Sequence, residues 1–208
     1  MKNNLLNTSD FIRINQISFD PRMFEVMKTG TGVDNVFSTE GGIPRATNYI
    51  IIGDPGVGKS TIGLDIIADI KKNANQKVLF ISAEMTRIDL YQYVKRYPKF
   101  GNIDTLFLGE FYDKDPQLVM ENILEEGFDL VLIDTFVEVT STIKESCYLT
   151  SGKAEKWLLK LMIKHNIGKN KGNHFTSFLC VQQVTKQSTI GKPIFVGSNK
   201  LKHLTTGM

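Results

Sequence analysis

Nine consecutive residues constrain this chain more than any others: Gly53-Asp54-Pro55-Gly56-Val57-Gly58-Lys59-Ser60-Thr61. They satisfy G-x-x-x-x-G-K-[ST] at every fixed position. An apolar run, Tyr49-Ile50-Ile51-Ile52, precedes them. Ile62, Ile66, Ile67 and Ile70 follow at helix-face spacing. A glycine-rich turn that merely contains Lys-Ser would lack this strand–loop–helix context. The glycines let backbone N–H groups ring a phosphate, and the helix start adds partial positive charge. Lys59 can reach the outer phosphates, and the Ser60 hydroxyl can hold Mg²⁺. The chain is therefore expected to bind a nucleoside triphosphate through Gly53 to Thr61.

Further apolar strands follow at Lys77–Ser82, Leu130–Ile133 and Phe175–Val181, with a shorter one at Thr105–Leu108. Helical patterns lie between them. One is opened by Thr86 with Asp89 as a capping box, another by Asp115-Pro116. Strands without polar interruption, alternating with helices, imply a parallel sheet covered on both faces. Residues 1–27 read as an N-terminal lead-in and 28–208 as one domain. Phe136 to Ser151 reads as a mostly polar loop, long enough to carry function. The helix after it sets Trp157, Leu158, Leu161 and Met162 on one side and Lys153, Lys156, Lys160 and Lys164 on the other. The Trp157 stripe suits a core better than a base-stacking platform.

Ligands of such sheets bind at the carboxyl ends of the strands. Asp134 closes one strand, where it can serve Mg²⁺ or cap the next turn. Glu84 follows another; it can activate a water or simply complement the next helix's dipole. Gln183 ends a third and can touch a γ-phosphate or remain a solvated amide. Its neighbour Gln182 competes for that role, because alternation sends the two to opposite faces.

At 41% hydrophobic and 23% charged residues, the composition is that of an ordinary globular protein. No apolar run approaches the ~20 residues that cross a bilayer. Met1 to Asp10 lacks the apolar core of a signal peptide. The two cysteines, Cys147 and Cys180, have no metal-like spacing and read as free thiols, so a cytoplasmic location is expected. Net charge is only +3, but residues 1–140 hold 14 Lys/Arg against 20 Asp/Glu, and residues 141–208 hold 11 Lys against 2 Glu. A cationic third on an acidic body fits a polyanion partner, or a lysine-rich solvated surface.

Phosphate loop, Glu, Asp and Gln in this order resemble the RecA superfamily, which includes RecA, RadA (Sms), KaiC and the DnaB-type helicases. Thr29-Gly30-Thr31-Gly32-Val33-Asp34 with Gly41-Gly42-Ile43-Pro44 resembles the T-G-x-x-x-[LV]-D…G-G-x-P lead-in of RadA and KaiC proteins. Gln183-Val184-Thr185-Lys186, then Gly197 and Leu201-Lys202-His203-Leu204, resembles the H-V-T-K…G-P-K-x-L-E-H-M stretch of RadA. Ser82-Ala83-Glu84-Met85 leans toward the S-L-E-M of DnaB helicases. Small phage RecA-like recombinases share this mixture.

The resemblance implies an α/β, three-layer RecA-like P-loop NTPase with a mainly parallel central sheet. It implies ATP and Mg²⁺ as cofactors, Lys59 and Ser60 on phosphate and Mg²⁺, Asp134 on Mg²⁺, Glu84 as catalytic base and Gln183 as sensor. Tyr91 or Tyr93 would neighbour the adenine, or serve ordinary helix packing. The implied activity is DNA-stimulated ATP hydrolysis in recombination or repair, in a homo-oligomeric ring or filament on DNA, single-stranded by preference. The loops after Asp134 and after Gln183 would face DNA, with Lys144, Lys186 and Lys192 as contacts or as solvated surface. A helicase motor and a slow nucleotide-dependent assembly switch are the competing readings. The chain departs from the family in stopping before the K-N-R-F-G motif that reaches a neighbour's site. Truncation, or substitution by Lys200 or Lys202, is the corresponding expectation.

Overall fold

Leu130, Val131, Leu132 and Ile133 are all fully buried, which a strand achieves only when both faces are covered. The computed structural model describes residues 12–185, 201 and 204–206. It opens with a short antiparallel pair, β1 (Val26–Met27) and β2 (Ile43–Pro44), separated by the single helical turn α1 (Asp34–Phe37). The main strands are β3 (Asn48–Gly53), β4 (Val78–Ser82), β5 (Asp104–Phe107), β6 (Leu130–Asp134) and β7 (Ser177–Gln183). They form one five-stranded sheet in the order β3-β7-β6-β4-β5, with every pair parallel.

The helices are α2 (Lys59–Ala74), α3 (Arg87–Arg96), α4 (Pro116–Glu125), α5 (Phe136–Ser146) and α6 (Ser151–Asn166). Strand alternation divides the core in two. On one face Phe80, Leu130, Leu132, Leu179 and Val181 pack with Leu64, Ile67 and Ile70 of α2. On the other, Ile81, Val131, Ile133, Phe178 and Cys180 pack with residues of α4, α5 and α6. This is the three-layer α/β sandwich expected from the alternating pattern. Helix α2 lies close to the sheet because Gly63 has no side chain: a Cβ there would stand 2.8 Å from Leu132 Cδ1.

The expected loop from Phe136 to Ser151 is instead mostly helix. Thr135 caps α5 by accepting from the Glu138 N–H at 3.3 Å, and Thr150 caps α6 by accepting from Lys153 N–H at 3.4 Å. Phe136, Val139 and Ile143, spaced three and four apart, form a fully buried face. The polar residues between them masked this helical period. The capping box read at Thr86 and Asp89 is present, with Asp89 Oδ2 accepting from Thr86 N–H at 2.9 Å. Trp157 packs against the core and donates to Glu121 Oε1 at 3.0 Å.

The Thr29–Asp34 stretch forms a clamp. The Asp34 carboxylate accepts from Thr29 N–H at 2.8 Å, Thr29 Oγ1 at 2.8 Å and Gly30 N–H at 2.9 Å. Burial pushes this carboxyl up, but those bonds outweigh it and hold its pKa below the ordinary value. The Asn73 side chain ties the clamp to the end of α2 through the Thr29 carbonyl. The clamp thus sits about 21 Å of helix away from Lys59. Its role is architectural. Met27, within the lead-in, is buried in the α2-side core.

Candidate functional site

The parallel register brings the strand ends to one edge: Gly53 lies opposite Gln183, and Ser82 opposite Asp134. At one end of that edge, on the outermost described strand, the phosphate loop leaves β3 and enters α2. Gly56 and Gly58 have φ of +79° and +90°, which side-chain-bearing residues rarely adopt, so the loop can fold back on itself. Lys59 is the first residue of α2, and its ammonium donates to the Asp54 carbonyl at 2.8 Å across the loop. Asp54, Pro55, Gly56 and Val57 are exposed, leaving the cradle open to a ligand. Ser60 and Thr61 continue the first turn.

Asp134 ends β6 on the α2 side, in the alternation set of Leu130 and Leu132. It is 2% exposed, and the Ser60 hydroxyl lies beside it. Burial raises the Asp134 pKa and the negative charge of Glu84 raises it further, against the opposing effects of Ser60 and Lys59. Oδ1 has no hydrogen-bond partner. A buried carboxylate oxygen left without a donor suits a cation, and a hydroxyl alongside supplies a second hard oxygen. These residues fit Mg²⁺ held by one carboxylate, one hydroxyl, nucleotide phosphates and water. Among the described residues no group of three or more His, Cys, Asp or Glu could hold a metal by itself.

Glu84 stands just beyond β4 in a turn fixed by Ser82, whose hydroxyl donates to the Met85 carbonyl at 2.8 Å and accepts from Met85 N–H at 3.1 Å. Ala83 N–H donates to the Asp134 carbonyl at 2.9 Å, tying this turn to β6. Glu84 is exposed on a cavity of about 440 Å³ shared with Met85, Phe107 and Glu110. Sequence reasoning named Glu84 but missed Ser82, whose signal was a small hydroxyl at a strand end, three residues before Met85.

Between the two glutamines, alternation puts Gln183 with Leu179 and Val181 on the α2 face, alongside Asp134. Gln182 falls with Phe178 and Cys180 on the other face, where it is 1% exposed and its Nε2 lacks a partner. Val184 N–H then donates to the Gly53 carbonyl at 3.4 Å, bringing the chain after Gln183 beside the phosphate loop.

The remaining expected positions are not gathered here. Tyr91 is exposed on α3 with the Lys95 ammonium over its ring at 4.7 Å, and no described contact joins it to the phosphate loop. Tyr93 packs into the α2-side core. Lys144 is exposed in the last turn of α5, on a helix and not on the expected loop. Lys186, Lys192, Lys200 and Lys202 lie outside the described residues. No described helix is long and apolar enough to cross a membrane.

Comparison with known proteins bears on the fold. A family model described as ATPase, KaiC, matches residues 27–102, from β1 to just beyond α3. The DNA repair protein RadA of Campylobacter jejuni is 27% identical over 157 residues, covering 74% of this chain and 32% of that protein. RadA of Bacillus subtilis is 28% identical over 153 residues, covering 74% and 31%. The chain thus spans about a third of the length of these curated relatives. Among solved structures, a KaiC-like protein of Pyrococcus horikoshii OT3 superposes with TM-score 0.53 at 18% identity, covering 79% of this chain and 83% of that one. The flagellar accessory protein FlaH of Methanocaldococcus jannaschii superposes with TM-score 0.51 at 15% identity, covering 76% and 71%. The parallel sheet and the matched structures converge: this chain has a RecA-like P-loop fold.

Proposed function

We propose that the chain binds and hydrolyses ATP with Mg²⁺, and that single-stranded DNA stimulates it in recombination or repair. The observation that carries the reading is the partnerless Asp134 oxygen beside Ser60, with Glu84 close enough to raise the Asp134 pKa. The DNA part is supported by the two RadA relatives, which are DNA repair proteins, and by the cationic C-terminal third.

In this reading the loop amides and the start of α2 hold the β- and γ-phosphates. Lys59 leaves the Asp54 carbonyl for a phosphate oxygen, a stronger acceptor. Ser60 and Asp134 would hold Mg²⁺ on the protein side, where the ion would supply neutralisation of the phosphate charge. Glu84, held by the Ser82 turn, accepts a proton from the attacking water. Gln183 senses the γ-phosphate and passes its state to the following chain. A ring or filament of copies would bring the remaining cation from a neighbour.

The test is steady-state ATP hydrolysis by the purified chain with and without single-stranded DNA, beside Lys59→Ala. Turnover that rises with DNA and vanishes in Lys59→Ala is the expected result. Turnover surviving in Lys59→Ala would sink the site assignment, and turnover indifferent to DNA would sink the DNA part alone.

A further inference from the structure

Helix α6 exposes Ser151, Gly152, Lys153, Lys156, Lys160 and Ile163. Its one acid, Glu155, is buried. The outer face therefore carries positive charge without a compensating carboxylate. At 100° per residue the three lysines fall within a stripe of about 60°, separated along the axis by about 4.5 and 6 Å.

Their side chains are free of partners, as are those of Lys72, Lys144 and Lys169 among the described residues, but only on α6 do three such ammonium groups share one stripe. Lys164, one turn on, is engaged with Glu125, and Lys171 with Glu126. Lys71, Arg87 and Lys99 all have carboxylate partners. Among the described residues, the ammonium groups of Lys153, Lys156 and Lys160 have no hydrogen bond, ion pair or ring contact.

The arrangement works against the helix. Like charges one turn apart repel by a few tenths of a kcal/mol, and Lys153 lies in the first turn, at the positive end of the dipole. An anion laid along the face would relieve both effects.

We propose that this face of α6 is a contact surface for the phosphate backbone of single-stranded nucleic acid. The inference rests on the DNA-linked reading above and adds a contact on a helix to those expected on the loops after Asp134 and after Gln183. The face suits phosphates rather than a bilayer, because the apolar side of α6 is committed to Leu158, Leu161 and Met162 in the core. It suits a backbone rather than bases, because Trp157 packs inward on Glu121 and is no stacking platform. Flexible four-carbon stems let ammonium groups at these separations follow successive phosphates. Recognition is then independent of base sequence and strongly dependent on salt.

The test measures binding of a labelled single-stranded oligonucleotide across a salt series, for the unaltered chain and for the triple variant Lys153→Glu, Lys156→Glu, Lys160→Glu. Lys→Ala at the same positions is the milder second variant. Thermal unfolding and nucleotide affinity serve as folding controls. The expected result is at least tenfold weaker binding at fixed salt, with the log–log salt slope shallower by about 2, since each lost single-strand phosphate contact removes about 0.7. Equal affinity and slope in folded variants would overturn the α6 surface while leaving DNA binding intact. Absence of binding by the unaltered chain would overturn the DNA reading and the surface with it. Competition by polyglutamate as strong as by oligonucleotide of equal charge would replace nucleic acid with an acidic protein partner.

Discussion

The Ser60 hydroxyl in the first turn of α2 lies beside the Asp134 carboxylate at the end of β6, joining two elements 74 residues apart in the chain. The carboxylate is held in a buried position that disfavours its charge. A folded pKa raised above the unfolded value means that the folded chain binds the extra proton. In the metal-free chain, stability therefore falls as pH rises from the unfolded value through the folded one. Asp134→Asn is expected to unfold at an equal or higher temperature near neutral pH, while losing Mg²⁺-dependent nucleotide affinity. Thermal melts with and without Mg²⁺ and ATP check both halves. A strongly destabilised Asn variant would contradict the burial argument.

Glu84→Gln keeps the size and the turn held by Ser82 but removes the base. Turnover should drop roughly 10²- to 10⁴-fold with nucleotide affinity nearly unchanged. Single-turnover hydrolysis alongside equilibrium binding separates the two. An equal loss of affinity and rate would make Glu84 a binding residue instead.

Gly63→Ala would place a methyl group 2.8 Å from Leu132 Cδ1 in the α2–β6 contact. Overpacking there should cost about 1–3 kcal/mol. Because α2 begins with Lys59 and Ser60 and β6 ends at Asp134, any parting of the two also widens the site. Denaturant unfolding should show the loss of stability, and a nucleotide titration should show weakened binding.

Asp34→Ala removes the acceptor for Thr29 and Gly30 and leaves the buried Thr29 N–H unpaired. A loss of about 1–3 kcal/mol is expected, with nucleotide affinity unchanged in the folded fraction, since the clamp is at the far end of α2. The folded pKa of Asp34 is lowered, so its contribution is present above the unfolded value and lost as pH falls through the folded one. The difference between the two proteins should therefore shrink in acid, as urea unfolding at several pH values would show.

His165 is fully buried, its Nε2 lacks a partner, and burial lowers its pKa to about 4. Between there and the unfolded value near 6.5, the unfolded chain binds the extra proton, so stability falls as pH drops through that window. His165→Leu should flatten this dependence between about pH 6.5 and 4. Parallel slopes for the two proteins in urea unfolding would rule the histidine out as the cause.

Local chemistry alone determined a good deal. The phosphate loop needs particular residues at particular spacings, so Gly53 to Thr61 was legible without any tertiary contact. Uninterrupted apolar runs such as Leu130–Ile133 are compatible only with a sheet covered on both faces, so the α/β layering and the edge carrying Glu84, Asp134 and Gln183 were legible too. Phe136 to Ser146 was misread because a short amphipathic helix with polar residues on its open face resembles a loop until something covers Val139 and Ile143.

Which glutamine shares a face with Asp134 was decided only by register and pairing, because alternation fixes relative faces but not which one meets α2. The same holds for the Asp34 clamp, whose residues resemble a family lead-in but whose closure of a turn at the far end of α2 only the fold shows. It holds as well for the α6 lysines. Their number was visible in the chain, but a lysine's freedom from partners depends on carboxylates brought near by folding. Charge patterns are written in sequence, whereas burial and pairing arise from contacts between distant residues.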